Sequence, residues 1–220
     1  MLPLFPLPVV LFPGTARPLH IFEPRYRRLL ADCLDGDRRF GLLFCADTVN
    51  ERSTPPGQVG CIARIESADT LPDGRSNIIV AGEARFALVR FVESEAPYLV
   101  GAIRDYDDVP ESDAELDTLA ESVRAAFERL VSAARTVADQ RAPVPPLPRD
   151  PALVAFHVAS VIETPLATRY ELLHSRSVVA RLRIVSGLLA HAVPSAEQRA
   201  VRHQRARSNG RGHDTAGPAT

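Results

Sequence analysis

Leu2-Pro-Leu-Phe-Pro-Leu-Pro-Val-Val-Leu-Phe-Pro-Gly14 is the stretch that decides the fold of this chain, because it sets short apolar runs between four prolines. Each proline fixes φ and lacks a backbone N–H, so we expect neither one long helix nor a strand in the middle of a sheet. The spacing instead predicts short extended pieces joined by sharp corners. A compact β-rich domain is therefore expected to begin here.

A short amphipathic helix is predicted directly after this opening. The pair Glu23-Pro24 places proline at the first helical position, where its missing N–H costs nothing. Four apolar residues then follow the i, i+3, i+4, i+7 spacing of one helix face: Tyr26, Leu29, Leu30 and Cys33. Gly36 is expected to end the helix.

Residues 40–106 have the pattern of strands separated by turns. Leu71-Pro-Asp-Gly-Arg75 predicts a tight turn, since Pro72 pre-sets φ and Gly74 accepts a positive φ. The strand Ala84–Val92 is apolar on both faces, which indicates a position inside a closed or sandwiched sheet. The polar segment Asn50–Gln58 is expected to be a mobile loop.

The second half of the chain is predicted to be helical. Apolar residues recur every three or four positions between Leu116 and Val137, and the proline-rich connector 142–151 follows. Further helices are expected to start at Pro151, at Pro165 and near Val178. We therefore predict a β-rich unit over 1–108, a helical unit over 109–193 and an arginine-rich tail without fixed structure over 194–220.

Composition excludes several classes of activity. The net charge of −1 argues against binding of nucleic acid or membrane over the whole surface, and all 26 basic residues are arginine. Without lysine there is no Walker A lysine for nucleotide phosphates, no Ser–Lys hydrolytic dyad and no Schiff-base chemistry. These 220 residues cannot supply the ATPase or peptidase machinery that depends on lysine.

The cysteines and the hydropathy pattern predict a soluble cytoplasmic protein. Cys33, Cys45 and Cys61 are odd in number and lack CxxC spacing, so we expect reduced, buried thiols and no disulfide framework. No unbroken apolar run approaches the roughly 18–20 residues that a membrane helix needs, and the prolines of the opening interrupt any signal-peptide helix. No membrane contact is predicted.

Several strings together resemble the Lon-protease N-terminal substrate-binding (LON) domain family. They occur in family order over about the first hundred residues: Leu4-Phe-Pro-Leu-Pro-Val-Val-Leu-Phe-Pro-Gly14, Pro18-Leu-His-Ile-Phe-Glu-Pro-Arg-Tyr-Arg27, Phe40-Gly41, Leu71-Pro-Asp-Gly-Arg75, Gly82-Glu-Ala-Arg-Phe86 and Pro97-Tyr98. The resemblance implies an α+β fold: a PUA-like, six-stranded β pseudo-barrel crossed by one short helix, followed by a four-helix bundle. It also implies a recognition module that contacts unfolded or tagged proteins.

Catalysis and metal binding are disfavoured by the spacing of the reactive residues. His20 and Glu23 are interpreted as hydrogen-bonding groups that hold the short helix, because no G-x-S-x-G nucleophile elbow is present and Ser76 falls in a predicted hairpin turn. The six histidines are scattered and form no HExxH or Cys/His ligand spacing. We predict a non-enzymatic protein with no metal and no cofactor.

A PUA-like RNA-binding module is the alternative function. Arg199, Arg202, Arg205, Arg207 and Arg211 give the tail a salt-sensitive attraction for any polyanion. The rest of the chain carries no net positive charge and no basic residues interleaved with aromatic ones, which disfavours nucleic acid as the partner.

The favoured hypothesis is a protein- or peptide-binding adaptor, with unfolded segments or a partner protein as its ligand. A crease beside Asp105–Asp113 and the exposed sheet edges are the expected binding places. Four residues are predicted to lie near the bound peptide: Arg25, Tyr26, Arg75 and Phe86. Internal packing and turn geometry are the alternative roles of these residues, and packing is the favoured role for Phe86. The sequence does not identify the bound protein, a protease partner or the oligomeric state.

Overall fold

A computed structural model describes residues 1–45, 51–140, 144 and 146–209. Over these residues the fold is mixed α+β, with six strands and five α-helices. The strands are β1 (Leu2–Leu7), β2 (Ala16–Ile21), β3 (Arg39–Phe44), β4 (Val59–Thr70), β5 (Ser76–Val92) and β6 (Leu99–Asp105). The helices are α1 (Pro24–Asp35), α2 (Asp113–Val137), α3 (Pro151–Val161), α4 (Leu166–His174) and α5 (Val178–Asn209), with a 3₁₀ turn at Glu51–Ser53.

The six strands form one sheet in the order β2-β5-β4-β3-β1-β6, and β5 also pairs with β6. The pairings β5–β4–β3–β1–β6–β5 therefore form a closed cycle of five strands. The length of β5, 17 residues, makes this possible, because its first part pairs with β2 and its last part with β6. The strand β2 is attached to the outside of the cycle.

The expectation that the proline-rich opening would avoid the middle of the sheet is wrong. Strand β1 lies between β3 and β6, but its two neighbours are staggered along it. Residues Leu4–Leu7 pair with β3 and residues Leu2–Leu4 with β6, so only Leu4 has a partner on both sides. Pro3 and Pro6 each face a single neighbouring strand, and a missing N–H can be tolerated there.

The predicted β4–β5 turn is confirmed. Gly74 has φ +80°, its N–H donates to the carbonyl of Leu71 at 2.8 Å, and the N–H of Leu71 donates to the carbonyl of Arg75 at 2.7 Å. The Asp73 carboxylate accepts a bond from the Arg75 backbone N–H at 3.0 Å. Glycine is required at this position because the turn needs a positive φ, which residues with a Cβ rarely adopt.

Helix α1 lies where the sequence predicts it and fills the sheet's main core. Its buried residues Tyr26, Leu29, Leu30 and Cys33 are the four predicted by the spacing. They pack in one cluster with sheet residues that include Phe5, Phe40, Leu42, Ile65 and Val80. Burying each of these large apolar side chains contributes about 1.5–3 kcal/mol.

Contacts divide the chain into two units that differ from the predicted boundaries. The first consists of Met1–Pro110 and Ala155–Val178, and the second of Glu111–Val154 and Val179–Thr220. The segment Ala155–Val178 was predicted to belong to the helical unit, but it packs with the sheet. Phe156 stacks on Phe12 with ring centroids 5.2 Å apart, and the ring of Tyr170 lies 4.9 Å from that of Phe44.

Arg85 ties this helical segment to β5. Its buried guanidinium donates to the carbonyls of Leu173 and Ser175 at 2.9 and 2.6 Å, and it pairs with Asp108 at 2.5 Å. A cation at the last carbonyls of α4 satisfies groups that the helix itself leaves without partners. In the sequence, Arg85 is distinguished only as part of the string Gly82-Glu-Ala-Arg-Phe86.

In the second unit, α2 confirms the predicted long helix, whereas the predicted unstructured tail is helical as far as Asn209. The tail is ordered because it buries apolar surface: Ala196 and Ala200 of α5 pack with Ala133 and the partly buried Leu130 of α2. Arg129 and Glu197 add a bidentate ion pair at 2.9 and 3.1 Å. Residues 210–220 lie outside the described part.

Helix α5 is also the one described helix whose length and composition would allow it to cross a membrane, over Val178–Arg207. Leu182, Val185 and Leu189 within it are completely buried in the protein. Core helices of soluble proteins pass the same test of length and composition.

Candidate functional site

The first unit contains a groove of about 600 Å³ between β1, β2 and the beginning of α1, here called the β1–β2 groove. Its lining comes from three places: Phe5–Val9, Arg17–His20, and the cluster Phe22, Glu23, Arg25, Tyr26 and Glu51. A cavity of this size falls in the range of about 300–1,000 Å³ that is usual for binding sites. Most of its wall is apolar or proline.

One side of the groove is a free sheet edge. Among the described residues, β2 has a single strand partner, β5. The N–H of Gly82 donates to the carbonyl of Thr15 at 2.9 Å, so the alternation of an antiparallel ladder turns the backbone groups of Ala16, Pro18 and His20 away from β5. Pro18 has no N–H to offer, which limits how long a hydrogen-bonded ladder this edge can accept.

Phe22 is the exposed aromatic side chain of the groove. Of its surface, 58% is accessible to solvent, and its ring stacks on His20 with centroids 6.0 Å apart. His20 in turn shares a 2.8 Å hydrogen bond between its Nδ1 and Asn77 Oδ1 on β5. His20 is therefore anchored to the neighbouring strand, while Glu23 bonds to Arg25 on α1.

Arg25, Tyr26 and Glu51 form a charged cluster in the groove. The guanidinium of Arg25 makes two bonds to Glu51, at 2.7 and 2.8 Å, and a third from Nε to Glu23 at 2.9 Å. The hydroxyl of Tyr26 donates to Glu51 at 3.0 Å. Hydrogen bonding to Glu51 raises the pKa of Arg25, and burial together with the Glu51 charge raises the pKa of Tyr26.

Arg17 stands apart from this cluster because it has no acidic partner within the described residues. It is half-buried beside Leu19, two positions along the same face of β2. Burial is the main reason that its pKa is lowered, and the nearby positive charge of Arg169 adds to the effect. Arg169 uses its own guanidinium on the carbonyls of Ile162 and Thr164.

The four residues predicted to lie near a bound peptide are not together. Arg25 and Tyr26 line the β1–β2 groove, whereas Arg75 lies on the β4–β5 turn and pairs with Asp73 at 2.6 Å. Phe86 is completely buried and cannot contact a ligand at the surface. Its ring fills the space over Gly41 and Gly60, where an added Cβ would lie 2.8 and 2.5 Å from the ring's Cζ.

Two groove residues were missed by the sequence analysis. Glu51 was assigned to a mobile polar loop, but only 7% of it is exposed, and it accepts three hydrogen bonds. Arg17 was not singled out. Nothing in the local sequence indicates either role, because both depend on segments that are distant in the chain.

The reactive residues considered for catalysis have structural surroundings. Ser76 is 3% exposed and shares a 3.3 Å hydrogen bond with Thr70 across the β4–β5 turn. Across residues 1–45, 51–140, 144 and 146–209, no three His, Cys, Asp or Glu side chains are grouped to hold a metal ion. The three cysteines are buried and no disulfide joins them, and burial raises the pKa of Cys33 to about 12.

Comparison with known proteins identifies the family. The sequence matches the family model of the ATP-dependent protease La (LON) substrate-binding domain over residues 1–191. The chain belongs to this family. The match covers the first unit and the second unit as far as residue 191, and it supports the assignment of a substrate-recognition module.

Relatives and solved structures agree with this LON-domain assignment. The chain is 28% identical over 195 residues to Lon protease 2 of Herpetosiphon aurantiacus and 30% identical over 190 residues to the Lon protease of Geobacter metallireducens. These alignments include 87% and 84% of the chain but only 24% and 23% of those proteins, so the chain spans about a quarter of their length.

Two solved structures have a similar fold. The N-terminal domain of the Mycobacterium avium complex Lon protease superposes with a TM-score of 0.67 at 15% identity, covering 86% of this chain and 97% of that domain. The Lon N-terminal domain protein of Xanthomonas campestris gives a TM-score of 0.57 at 28% identity, covering 86% and 96%. In both comparisons the matched region includes nearly all of the solved domain.

Proposed function

We propose that this LON-domain protein is a non-enzymatic module that binds unfolded segments of other proteins in the β1–β2 groove. The observation that carries the proposal is an apolar groove bordered by a free strand edge, with Phe22 exposed at its side. Extended peptides bind in this way when backbone bonds to an edge strand are combined with pockets for alternate side chains.

Side-chain burial is expected to supply most of the affinity. The open edge of β2 is interrupted by Pro18, so few backbone bonds are available to a bound segment. Complete burial of a phenylalanine contributes about 1.5–3 kcal/mol, and covering the 58% of Phe22 that is exposed would contribute about 1–2 kcal/mol. That difference corresponds to about a 5- to 30-fold change in affinity.

The wider role we propose is that of an adaptor in protein quality control that works without ATPase or peptidase activity of its own. The absence of lysine from the 220 residues supports this, since both activities of a Lon protease depend on that residue. The three buried cysteines, which no disulfide joins, support a reducing compartment, and we propose the cytoplasm.

Finer features of the fold remain part of the proposal. The closed cycle of five strands with β2 outside supports the PUA-like pseudo-barrel that the resemblance implies. The four helices α2–α5 follow the expected order of a bundle, although contacts group Ala155–Val178 with the sheet. The division at residue 108 and the binding crease beside Asp105–Asp113 stay predictions.

The RNA-binding alternative gains no support from the helical part of the tail. Arg207 pairs with Asp139, and Arg202 donates to the carbonyl of Gln198 one turn earlier. Peptide binding is therefore the function that the geometry supports best.

A capture experiment with denatured peptides tests the proposal. Immobilised protein is incubated with a tryptic library of a denatured proteome, and the bound peptides are compared with those captured by Phe22→Ser and by Val89→Ser. Val89 is a matched control, because it is 42% exposed in the same unit and does not line the groove. We expect capture by the wild type and by Val89→Ser and reduced capture by Phe22→Ser; no capture by the wild type would refute the proposal.

A further inference from the structure

Arg17 is the feature of the groove that the binding of apolar segments does not explain. Its guanidinium forms no hydrogen bond or ion pair within residues 1–45, 51–140, 144 and 146–209, although the side chain is half-buried. Arg169 adds a second positive charge nearby, and that side chain has only carbonyl partners. A cation in this situation weakens the fold unless something else compensates it.

The charged cluster at the other end of the groove does not compensate Arg17. Arg25 is shared between Glu23 and Glu51, so the two carboxylates are already occupied by one guanidinium. With the groove-lining side chains ionised, Glu23, Arg25 and Glu51 together carry one net negative charge. Arg17 contributes one positive charge to the lining, and the charge of Arg169 lies nearby, outside the lining. The negative and positive charges of the groove are therefore separated, and the positive charge lies beside Leu19.

We propose that the β1–β2 groove selects unfolded segments that carry an acidic side chain next to their apolar residues, and that this carboxylate binds Arg17. The inference rests on the proposed function, because it names the class of segment that the groove accepts. An ionised carboxylate and a guanidinium form charge-assisted hydrogen bonds, and these strengthen where water is partly excluded.

The position of Arg17 sets the spacing of the ligand. Arg17 precedes Leu19 by two residues on β2, where the chain rises about 3.3 Å per residue, and it precedes Phe22, the residue after the end of β2, by five. An extended segment lying along β2 would therefore present its acidic side chain two to five residues away from the apolar residues that contact Leu19 and Phe22. A passing chain has side chains on both sides of these contacts, so we assign the carboxylate to an internal Asp or Glu.

A positional peptide array tests this inference. Each amidated nine-residue peptide carries a central Leu-Phe pair in a Ser/Gly background, with Glu, Gln or Lys placed at one of the other positions in turn. We expect the wild type to bind Glu peptides about tenfold more tightly than Gln peptides when the substitution lies two to five residues from the pair, and Lys peptides most weakly. Gln peptides that end in a free C-terminal carboxylate, in place of the amide, test whether Arg17 binds the end of a chain.

Two variants separate recognition from folding. The Arg17→Gln variant should lose the preference for Glu peptides. Its melting temperature should be equal to or above that of the wild type, because the substitution removes an uncompensated positive charge. Arg90→Gln is the matched control: Arg90 is an exposed arginine on β5 that does not line the groove, and its preference should be unchanged.

Each other outcome overturns a defined part of the account. Equal binding of Glu and Gln peptides, or a preference that survives Arg17→Gln, contradicts the inference and leaves the proposed function standing. Tight binding that requires only the free terminal acid assigns Arg17 to a chain end and contradicts an internal carboxylate. Binding of no peptide by the wild type contradicts both the inference and the proposed function.

Discussion

Replacing Glu51 by Gln should destabilise the first unit, because this carboxylate connects the segment after β3 to helix α1. Glu51 accepts bonds from both terminal nitrogens of Arg25, at 2.7 and 2.8 Å, and from the Tyr26 hydroxyl at 3.0 Å. Its side chain is 8% exposed. The substitution keeps the shape but removes the charge that these donors share.

The expected cost is about 2–3 kcal/mol of unfolding free energy. Removing one partner of a buried ion pair costs about 3–5 kcal/mol, and each hydrogen bond to a charged group contributes about 1.5–3 kcal/mol. Two features reduce the loss: the Arg25 side chain is 34% exposed and keeps its bond to Glu23, and the amide oxygen still accepts one bond. With a urea slope of about 2–3 kcal/mol per M, the unfolding midpoint should fall by about 1 M.

Tyrosine fluorescence during urea unfolding measures this unit by itself. The chain has no tryptophan, and its four tyrosines, at 26, 98, 106 and 170, all belong to the first unit. Glu66→Gln is the matched control, since Glu66 pairs with Arg64 on the surface, with the side chains 40% and 47% exposed, and should change stability by less than about 1 kcal/mol. Equal midpoints for the two variants would refute the reasoning.

Three further changes have expected outcomes. Gly187→Ala in α5 should raise the unfolding free energy by up to about 1 kcal/mol, because nothing lies within 4 Å of the added Cβ. Gly82→Ala should lower the unfolding free energy by about 1–3 kcal/mol, because its Cβ would lie 2.2 Å from the Phe12 carbonyl oxygen. Urea titrations of both variants check that the two changes have opposite signs. Burial and the neighbouring Asp32 raise the pKa of Tyr98 from 10.0 to about 12, so the stability it contributes is complete below pH 10 and is lost as the pH rises towards 12; urea midpoints between pH 9 and 12 should fall less steeply for Tyr98→Phe. Deleting residues 195–220 should lower the melting temperature, and a melting curve equal to that of the full chain would contradict the packing of Ala196 and Ala200 on α2.

Local patterns in the sequence predict those elements whose cause is local. The face of α1 follows from 3.6-residue spacing, and the β4–β5 turn follows from Pro72 and Gly74, so both are found where expected. Helix α2 is also found where expected, because the recurrence of its apolar residues every three or four positions is a local pattern. The family strings predict the recognition module, because they are spread over about the first hundred residues and so indicate the family as a whole, not one local element.

What the sequence could not predict depends on contacts between distant segments. Strand β1 tolerates its prolines only because β3 and β6 pair with different parts of it. Glu51 looks like a loop residue until Arg25, 26 positions earlier, is brought against it. The sequence leaves Phe86 either near a bound peptide or packed inside the sheet, because a phenylalanine in a strand can face either side. The structure buries it against Gly41 and Gly60, which are distant in the chain.

Hydrogen–deuterium exchange with an unfolded protein bound tests the central claim most directly. The full chain is compared with and without reduced, carboxymethylated α-lactalbumin, which stays unfolded at neutral pH. Binding in the β1–β2 groove predicts slower exchange in the segments 5–9 and 17–23, with little change on the β4–β5 turn around Arg75. Protection confined to other segments, or no protection at saturating ligand, would contradict the assignment of this groove.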